Sequence, residues 1–342
     1  LNVEQALREA LDRHLASARD GSTALGAAGV FGLIVPEELG GLGLDVSTAG
    51  AVLDMLGEHC EPTSFLETCV IAAQLLQGAR TPAGDGVLRD IANGATVAVA
   101  GLDPRLRPGV SATPTAGGWR LDGDAKLVLD GASADYLLVA ARTERYTSAL
   151  LLVPATTDGV IAKAYPTIDG RAAADLRFIN AEAALLATDV DDALSEAGDI
   201  ALACLASEAS GLMRRLVRDT VAYAREREQF GQPIARFQVI QHRLADMHIQ
   251  ARRATAIAAR ACQALGGHWA ERARLVSAAK VTVADAGRFV GQNAVQLHGG
   301  MGMTQDLPVG RCFKRLTVIE HELGSADQHR QRFGRMTAQL AV

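Results

Sequence analysis

The five cysteines, Cys60, Cys69, Cys204, Cys262 and Cys312, form no C-x-x-C pair and no metal-ligand spacing. That argues against a disulfide framework and a zinc module, and predicts buried free thiols in a reducing cytosol, with no bound metal. The sequence also lacks any uninterrupted apolar run of the about eighteen residues that a membrane helix needs. Its N-terminus lacks the basic, apolar and small-residue order of a signal peptide, so the expectation is a cytoplasmic protein away from the membrane. A dominant charge is missing too: 21% of residues are charged, the net charge is -5, and Arg and Lys lie dispersed among carboxylates. Nothing in that balance calls for nucleic acid or an anionic membrane as a partner. What the chain does have is 342 residues, 49% of them apolar, enough for roughly two or three domains with substantial cores.

Three textures follow one another. Residues 1–95 are rich in alanine and leucine with helical spacing at Leu7, Leu11 and Leu15, at Val52, Met55, Leu56 and His59, and around Ile71, Leu75 and Leu76, which predicts an N-terminal domain of small helices. Between the first two groups, Phe31 to Asp45 (FGLIVPEELGGLGLD) carries Pro36 and four glycines, so a continuous helix is excluded there. Residues 96–185 read as short runs of period two between Gly, Pro and Asp turns, the pattern of a middle antiparallel β domain. From 193 to 342 the helical rhythm returns, in Leu202, Leu205, Ala209, Leu212 and Leu216, in Ile240, Leu244, Met247, Ala251, Ala254 and Ala258, and in Val276, Ala279, Val283, Ala286 and Val290. These three long amphipathic helices and the C-terminal segment predict a four-helix bundle, with Gly266-Gly267 and Gly299-Gly300 as stops. The expected fold class is therefore α+β.

Two motifs carry chemistry. Tyr223 to Gln238 (YAREREQFGQPIARFQ) places the guanidinium of Arg227 at a helix end, followed by Gln229, Phe230 and a glycine turn. A planar guanidinium can donate two charge-assisted hydrogen bonds to neighbouring phosphate oxygens. Gln296 to Gly302 (QLHGGMG) offers glycines that let a ligand approach the backbone closely. Alone, an arginine in such a helix is ordinarily a solvated charge, a Gly-Gly is ordinarily a helix stop, and His298 reads as a packing or helix-end residue.

Together, in this order, the two motifs resemble the Y-A-x-x-R-x-x-F-G-x-P-I-x-x-F-Q and Q-x-x-G-G-x-G patterns of the acyl-CoA dehydrogenases, and the 31–45 loop resembles that family's N-terminal signature. The resemblance covers nearly the whole chain. It implies helices, then a β domain, then a bundle, and FAD contacts at Arg227, Gln229, Phe230, Gln238, Gln296, Gly299 and Gly300, made to the cofactor of a neighbouring subunit.

Three other elements depart from the family. The family pattern Glu-Gly-Thr-x-x-x-x-Arg becomes Leu323-Gly324-Ser325-x-x-x-x-Arg330, and the alternative position for the catalytic glutamate aligns with Ala201. Neither side chain can take the proton next to a thioester carbonyl. The acidic Gly-Ser-Asp loop is unrecognisable in Ala100 to Val110 (AGLDPRLRPGV), and the W-I-T-N-G segment becomes Leu127-Val128-Leu129-Asp130-Gly131. Aliphatic side chains replace neither the indole face nor the threonine hydroxyl.

Intact trans motifs beside a degraded cis site look like the noncatalytic subunit of a heteromeric α2β2 acyl-CoA dehydrogenase, sharing FAD with a homologous catalytic partner. That resemblance implies an acyl-CoA substrate, with a steroid side-chain CoA as the leading expectation, and electron-transfer flavoprotein as a candidate acceptor. Three alternatives stay open: a self-sufficient homomeric dehydrogenase using Glu320 or Glu322 as base, with Glu208 the weaker choice; a scaffold of the same fold without flavin; and a different flavin chemistry such as a monooxygenase.

Overall fold

The computed structural model describes residues 3–15, 25–26, 29–102, 109–144, 148–304 and 307–340. The chain forms two compact units, one from Leu1–Ala49 and Pro62–Ala201, the other from Gly50–Glu61 and Leu202–Val342. By texture the sequence changes twice along its length; by packing, a short N-terminal segment joins the C-terminal half.

The first unit holds α1 (Val3–Leu15), a π-helical turn (Leu66–Ala72) running into α3 (Ala73–Ala79), and α4 (Pro82–Ala92). Local chemistry starts α4: the Thr81 hydroxyl accepts from Gly84 N at 3.1 Å, and Pro82 fills a position whose N–H would be unpaired. The 31–45 loop is closed by its own backbone, with Gly43 N bonded to Val35 O at 2.8 Å and Leu44 N to Leu33 O at 3.0 Å. A methyl group on Gly41 would lie 2.0 Å from Val35 O, which is why that position admits no side chain.

Seven strands follow: β1 (Val97–Ala100), β2 (Val110–Thr115), β3 (Gly118–Leu129), β4 (Tyr136–Ala141), β5 (Ala149–Pro154), β6 (Val160–Pro166) and β7 (Ala172–Thr188). They pair in the order β1-β4-β5-β7-β3-β2, with β6 also on β7. All pairs are antiparallel except β1 with β4, so the sheet is mixed where the periodicity predicts an antiparallel one. Strands β4 and β5 are buried on both faces and read as continuous apolar runs, LLVAA and ALLLV. Thr68 ties the π-helical turn to the sheet edge, its hydroxyl donating to Val97 O at 3.1 Å and accepting from Val97 N at 2.9 Å.

The second unit is built on α5 (Asp191–Glu226) from Leu202 onward, α6 (Gln238–Gln263), α7 (Trp269–His298), α8 (Pro308–His321) and α9 (Ala326–Leu340). The C-terminal segment thus makes two helices, broken at the left-handed residues Leu323 and Gly324. Against α5 packs most of α2 (Thr48–His59) through a reciprocal glycine contact. A methyl on Gly57 would lie 2.1 Å from Glu208 O, and one on Gly211 1.9 Å from Asp54 O. Arg214 straddles this crossing, donating to both Asp54 oxygens at 2.7 and 2.6 Å and to Glu58 at 3.1 Å.

A buried ionic cluster closes the unit. Arg315 on α8 donates to both oxygens of Glu208 on α5, at 2.5 and 2.8 Å, and to Glu322 at 3.0 Å. Lys280 on α7, fully buried, donates to Ile319 O and, at 2.6 Å, to Glu322 O, satisfying carbonyls at the end of α8.

Gly211→Ala, favoured by helix propensity by about 1 kcal/mol, is expected to destabilise by about 1–3 kcal/mol through overpacking against Asp54 O. The readout is a lowered urea midpoint at unchanged m. Arg315→Ala strands the buried Glu208 carboxylate and should cost about 3–5 kcal/mol, whereas Arg315→Met combined with Glu208→Gln should recover most of that loss in the same titration.

Candidate functional site

Helix α5 ends at Glu226 and the chain turns back at once. Arg227 N closes the last turn on Tyr223 O at 2.8 Å, and Arg227 O accepts from Ile234 N at 2.8 Å, which begins the hairpin of β8 (Glu228–Gln229) and β9 (Gln232–Pro233). At its tip Phe230 and Gly231 both have positive φ, 53° and 76°, the two-residue turn that suits a tight hairpin. Phe230 is 92% exposed and meets the edge of Phe237, at 6.2 Å between centroids. Arg227, Gln229 and Gln238, the first residue of α6, are exposed as well. Among the described residues the Arg227 guanidinium has no hydrogen bond or ion pair.

The second motif ends α7. Gln296, Gly299 and Gly300 are exposed, and a methyl group on either glycine would meet nothing within 4 Å. Gly299 (φ 61°) already donates its N–H to Gln296 O, so what these glycines offer is open approach to the backbone more than that particular donor. The two motifs meet through a contact that the sequence analysis missed: the Tyr223 ring stacks on His298, with centroids 4.3 Å apart and planes at 25°. Tyr223 stands one helical turn before Arg227, and His298 immediately precedes Gly299. That placement of two rings beside the two contact groups was the available signal. An unpaired guanidinium, an exposed ring at a hairpin tip and an open glycine face fit the pyrophosphate and ring systems of a dinucleotide.

The positions for a proton-abstracting group are differently occupied. Ala201 is fully buried and ends in a methyl group. Leu323 is half-buried in the left-handed region at φ 55°, and its carbonyl lies 3.0 Å from His329 Nε2. The neighbouring carboxylates are engaged: Glu322 and Glu208 by Arg315, and Glu320 by Arg288.

In the first unit, Leu127 to Leu129 end strand β3 and Asp130-Gly131 begin the turn that follows it. Asp175 accepts from Lys126 at 2.9 Å, from Leu127 N at 3.2 Å and from Tyr165 at 2.9 Å, and these bonds, that of Lys126 foremost, hold its carboxyl down at about 2. Asp130, in the left-handed region, lies 3.6 Å from buried Arg171, which also binds Glu67 at 2.7 Å. Burial raises the Asp130 carboxyl above the usual carboxylate range against the opposing pull of Arg171. Within the other altered loop, residues 103–108 lie outside the described residues.

The acyl-CoA dehydrogenase N-terminal domain matches residues 2–94 and the acyl-CoA dehydrogenase C-terminal domain matches residues 200–337. Acyl-CoA dehydrogenase FadE27 of Mycobacterium tuberculosis is 32% identical over 91% of this chain and 86% of its own. Two solved structures are similar throughout: a Tcur3481-Tcur3483 steroid ACAD G363A variant, 28% identical with a TM-score of 0.86 over 99% of this chain and 97% of that one, and the ChsE4-ChsE5 complex from Mycobacterium tuberculosis, 29% identical with a TM-score of 0.85 over 98% and 95%. All five cysteines are buried free thiols, and among the described residues no helix is long and apolar enough to cross a membrane. With both terminal domains matched and a relative aligned along nearly the whole length, this chain belongs to the acyl-CoA dehydrogenase family, whose members normally bind FAD.

Proposed function

We propose that this chain is the noncatalytic subunit of a heteromeric acyl-CoA dehydrogenase. It lends Arg227, Gln229, Phe230, Gln238, Gln296, Gly299 and Gly300 to FAD held by a homologous catalytic subunit, in an α2β2 assembly. The observation that carries this reading is a contrast in exposure. The seven contact residues all lie open on the single chain, whereas the positions for a base hold leucine and alanine. FAD in such a site supplies the hydride acceptor of acyl-CoA α,β-dehydrogenation. The carboxylate that takes the proton next to the thioester then comes from the partner.

On this reading Arg227 binds the pyrophosphate as a planar fork, Gln229 and Gln238 donate and accept at its flanks, and the glycines let the cofactor lie against the backbone. The Leu127–Gly131 segment, Leu-Val-Leu-Asp-Gly, carries no hydroxyl to offer a flavin of its own. A steroid side-chain CoA is the substrate that the relatives favour, since one similar structure is named a steroid ACAD and another is a complex of two differently named chains. Electron-transfer flavoprotein is the candidate acceptor.

A homologous catalytic subunit co-expressed with this chain should co-purify with it as a yellow assembly carrying about half the FAD per protomer of a homomer, while the chain alone is colourless and inert. Full flavin occupancy with acyl-CoA-dependent bleaching in the isolated chain would overturn the proposal. Within the assembly, Arg227→Ala should weaken FAD about tenfold or more, the scale of losing charge-assisted phosphate bonds. Glu320→Gln should leave turnover within about twofold, because it removes only a partly exposed ion pair. A collapse of turnover in Glu320→Gln would favour the self-sufficient enzyme.

A further inference from the structure

We infer that His298 is a positioning residue that fixes the spacing between the two halves of the cofactor-contact surface by stacking on Tyr223. The inference rests on the proposed role of Arg227 and Gly299-Gly300 in holding FAD, and assigns a function to a side chain which that role does not itself require.

His298 is gripped on three sides. Its ring lies on Tyr223 at 4.3 Å, with planes only 25° apart. Its Nδ1 lies 2.9 Å from Ala294 O; because a carbonyl can only accept, Nδ1 carries the hydrogen and the ring orientation is set by helix α7 itself. From below, Gly302 packs so closely that a methyl there would lie 3.0 Å from His298 Cβ and 3.0 Å from Val295 O. The side chain is buried although it directly precedes the exposed Gly299-Gly300 pair. Tyr223 is just as tightly tied to the other half, since its carbonyl takes the Arg227 N–H at 2.8 Å.

Any displacement of the stack therefore moves the end of α5, and Arg227 with it, relative to the end of α7. A dinucleotide gripped at two points needs those points held to within about 0.5 Å. The contact residues are exposed, so that precision comes from the half-buried Tyr223 ring and the buried His298 ring behind them. A merely structural ring would affect stability alone; a positioning ring affects the affinity for FAD and couples to Tyr223.

The test titrates FAD into the flavin-depleted assembly of this chain with its co-purified subunit, following flavin fluorescence, with urea unfolding measured in parallel. His298→Leu and Tyr223→Leu should each weaken FAD about threefold to tenfold, the scale of a lost aromatic pair. The double variant should lose little more than either single one, because both changes break the same contact. His298→Phe, which keeps a ring face, should stay within about twofold of the parent. Gly302→Ala pushes on His298 from the other side and should weaken FAD without altering either ring, which keeps the test open if His298→Leu folds poorly. Parental FAD affinity in His298→Leu and Gly302→Ala, or losses in the double variant that multiply, would overturn the inference. Arg227→Ala separates the two levels: if it loses FAD while the ring variants do not, His298 alone is misassigned, and if neither loses FAD, the contact role of the whole surface fails.

Discussion

Arg315 is the charge around which the helical unit closes. A guanidinium this deeply buried is tolerable only when hydrogen-bonded to opposite charge, and Glu208 and Glu322 take bonds from all three of its nitrogens. The bonds bind the middle of α5 to α8 and to the residue just before Leu323, and Lys280 secures the same corner through backbone carbonyls. The backbone at 323 is thus held in a left-handed turn by groups that are indifferent to its side chain. On the proposed reading, a turn at the position expected to carry an acid is built by its surroundings and holds a leucine.

The same division runs through the rest of the molecule. Near the segment 127–131, carboxylates are engaged internally: Asp175 by Lys126, Leu127 and Tyr165, and Glu67 by Arg171. Arg227, Gln229, Phe230, Gln238 and Gln296 of the two motifs face outward, and the joint between those motifs is a stack of half-buried Tyr223 on buried His298. On the proposed reading, that arrangement suits a chain whose exposed groups complete another subunit's site.

Much of this was legible in the sequence. The three-four rhythm from Val276 to Val290 marks the buried stripe of α7, and the stop at Gly299-Gly300 falls at the helix end. The first half of α6 was misleading: Ile240 and Leu244 share the apolar rhythm with buried Met247 but are only half-buried, because periodicity reports which face is apolar and not what covers it. The parallel pairing of β1 with β4 was invisible, since register and direction depend on partners far away in sequence. So was the engagement of Glu322 and Glu208 by Arg315, at separations of 7 and 107 residues. For the site, the motif residues were readable by type and order, but the Tyr223–His298 contact exists only once α5 and α7 are side by side.

The reciprocal glycine crossing of α2 and α5 has a consequence for how the chain is made. Asp54 and Arg214 are 160 residues apart, so α2 leaves the ribosome long before its groove exists. The intervening sheet, whose partners lie closer together along the chain, can form first, and the early helix must wait with its glycine face and carboxylates uncovered. The bundle is therefore not severable: a fragment starting at α5 would present Gly211 to empty space and leave Arg214 without either of its carboxylates. Completion of the helical unit therefore depends on a segment translated well before α5.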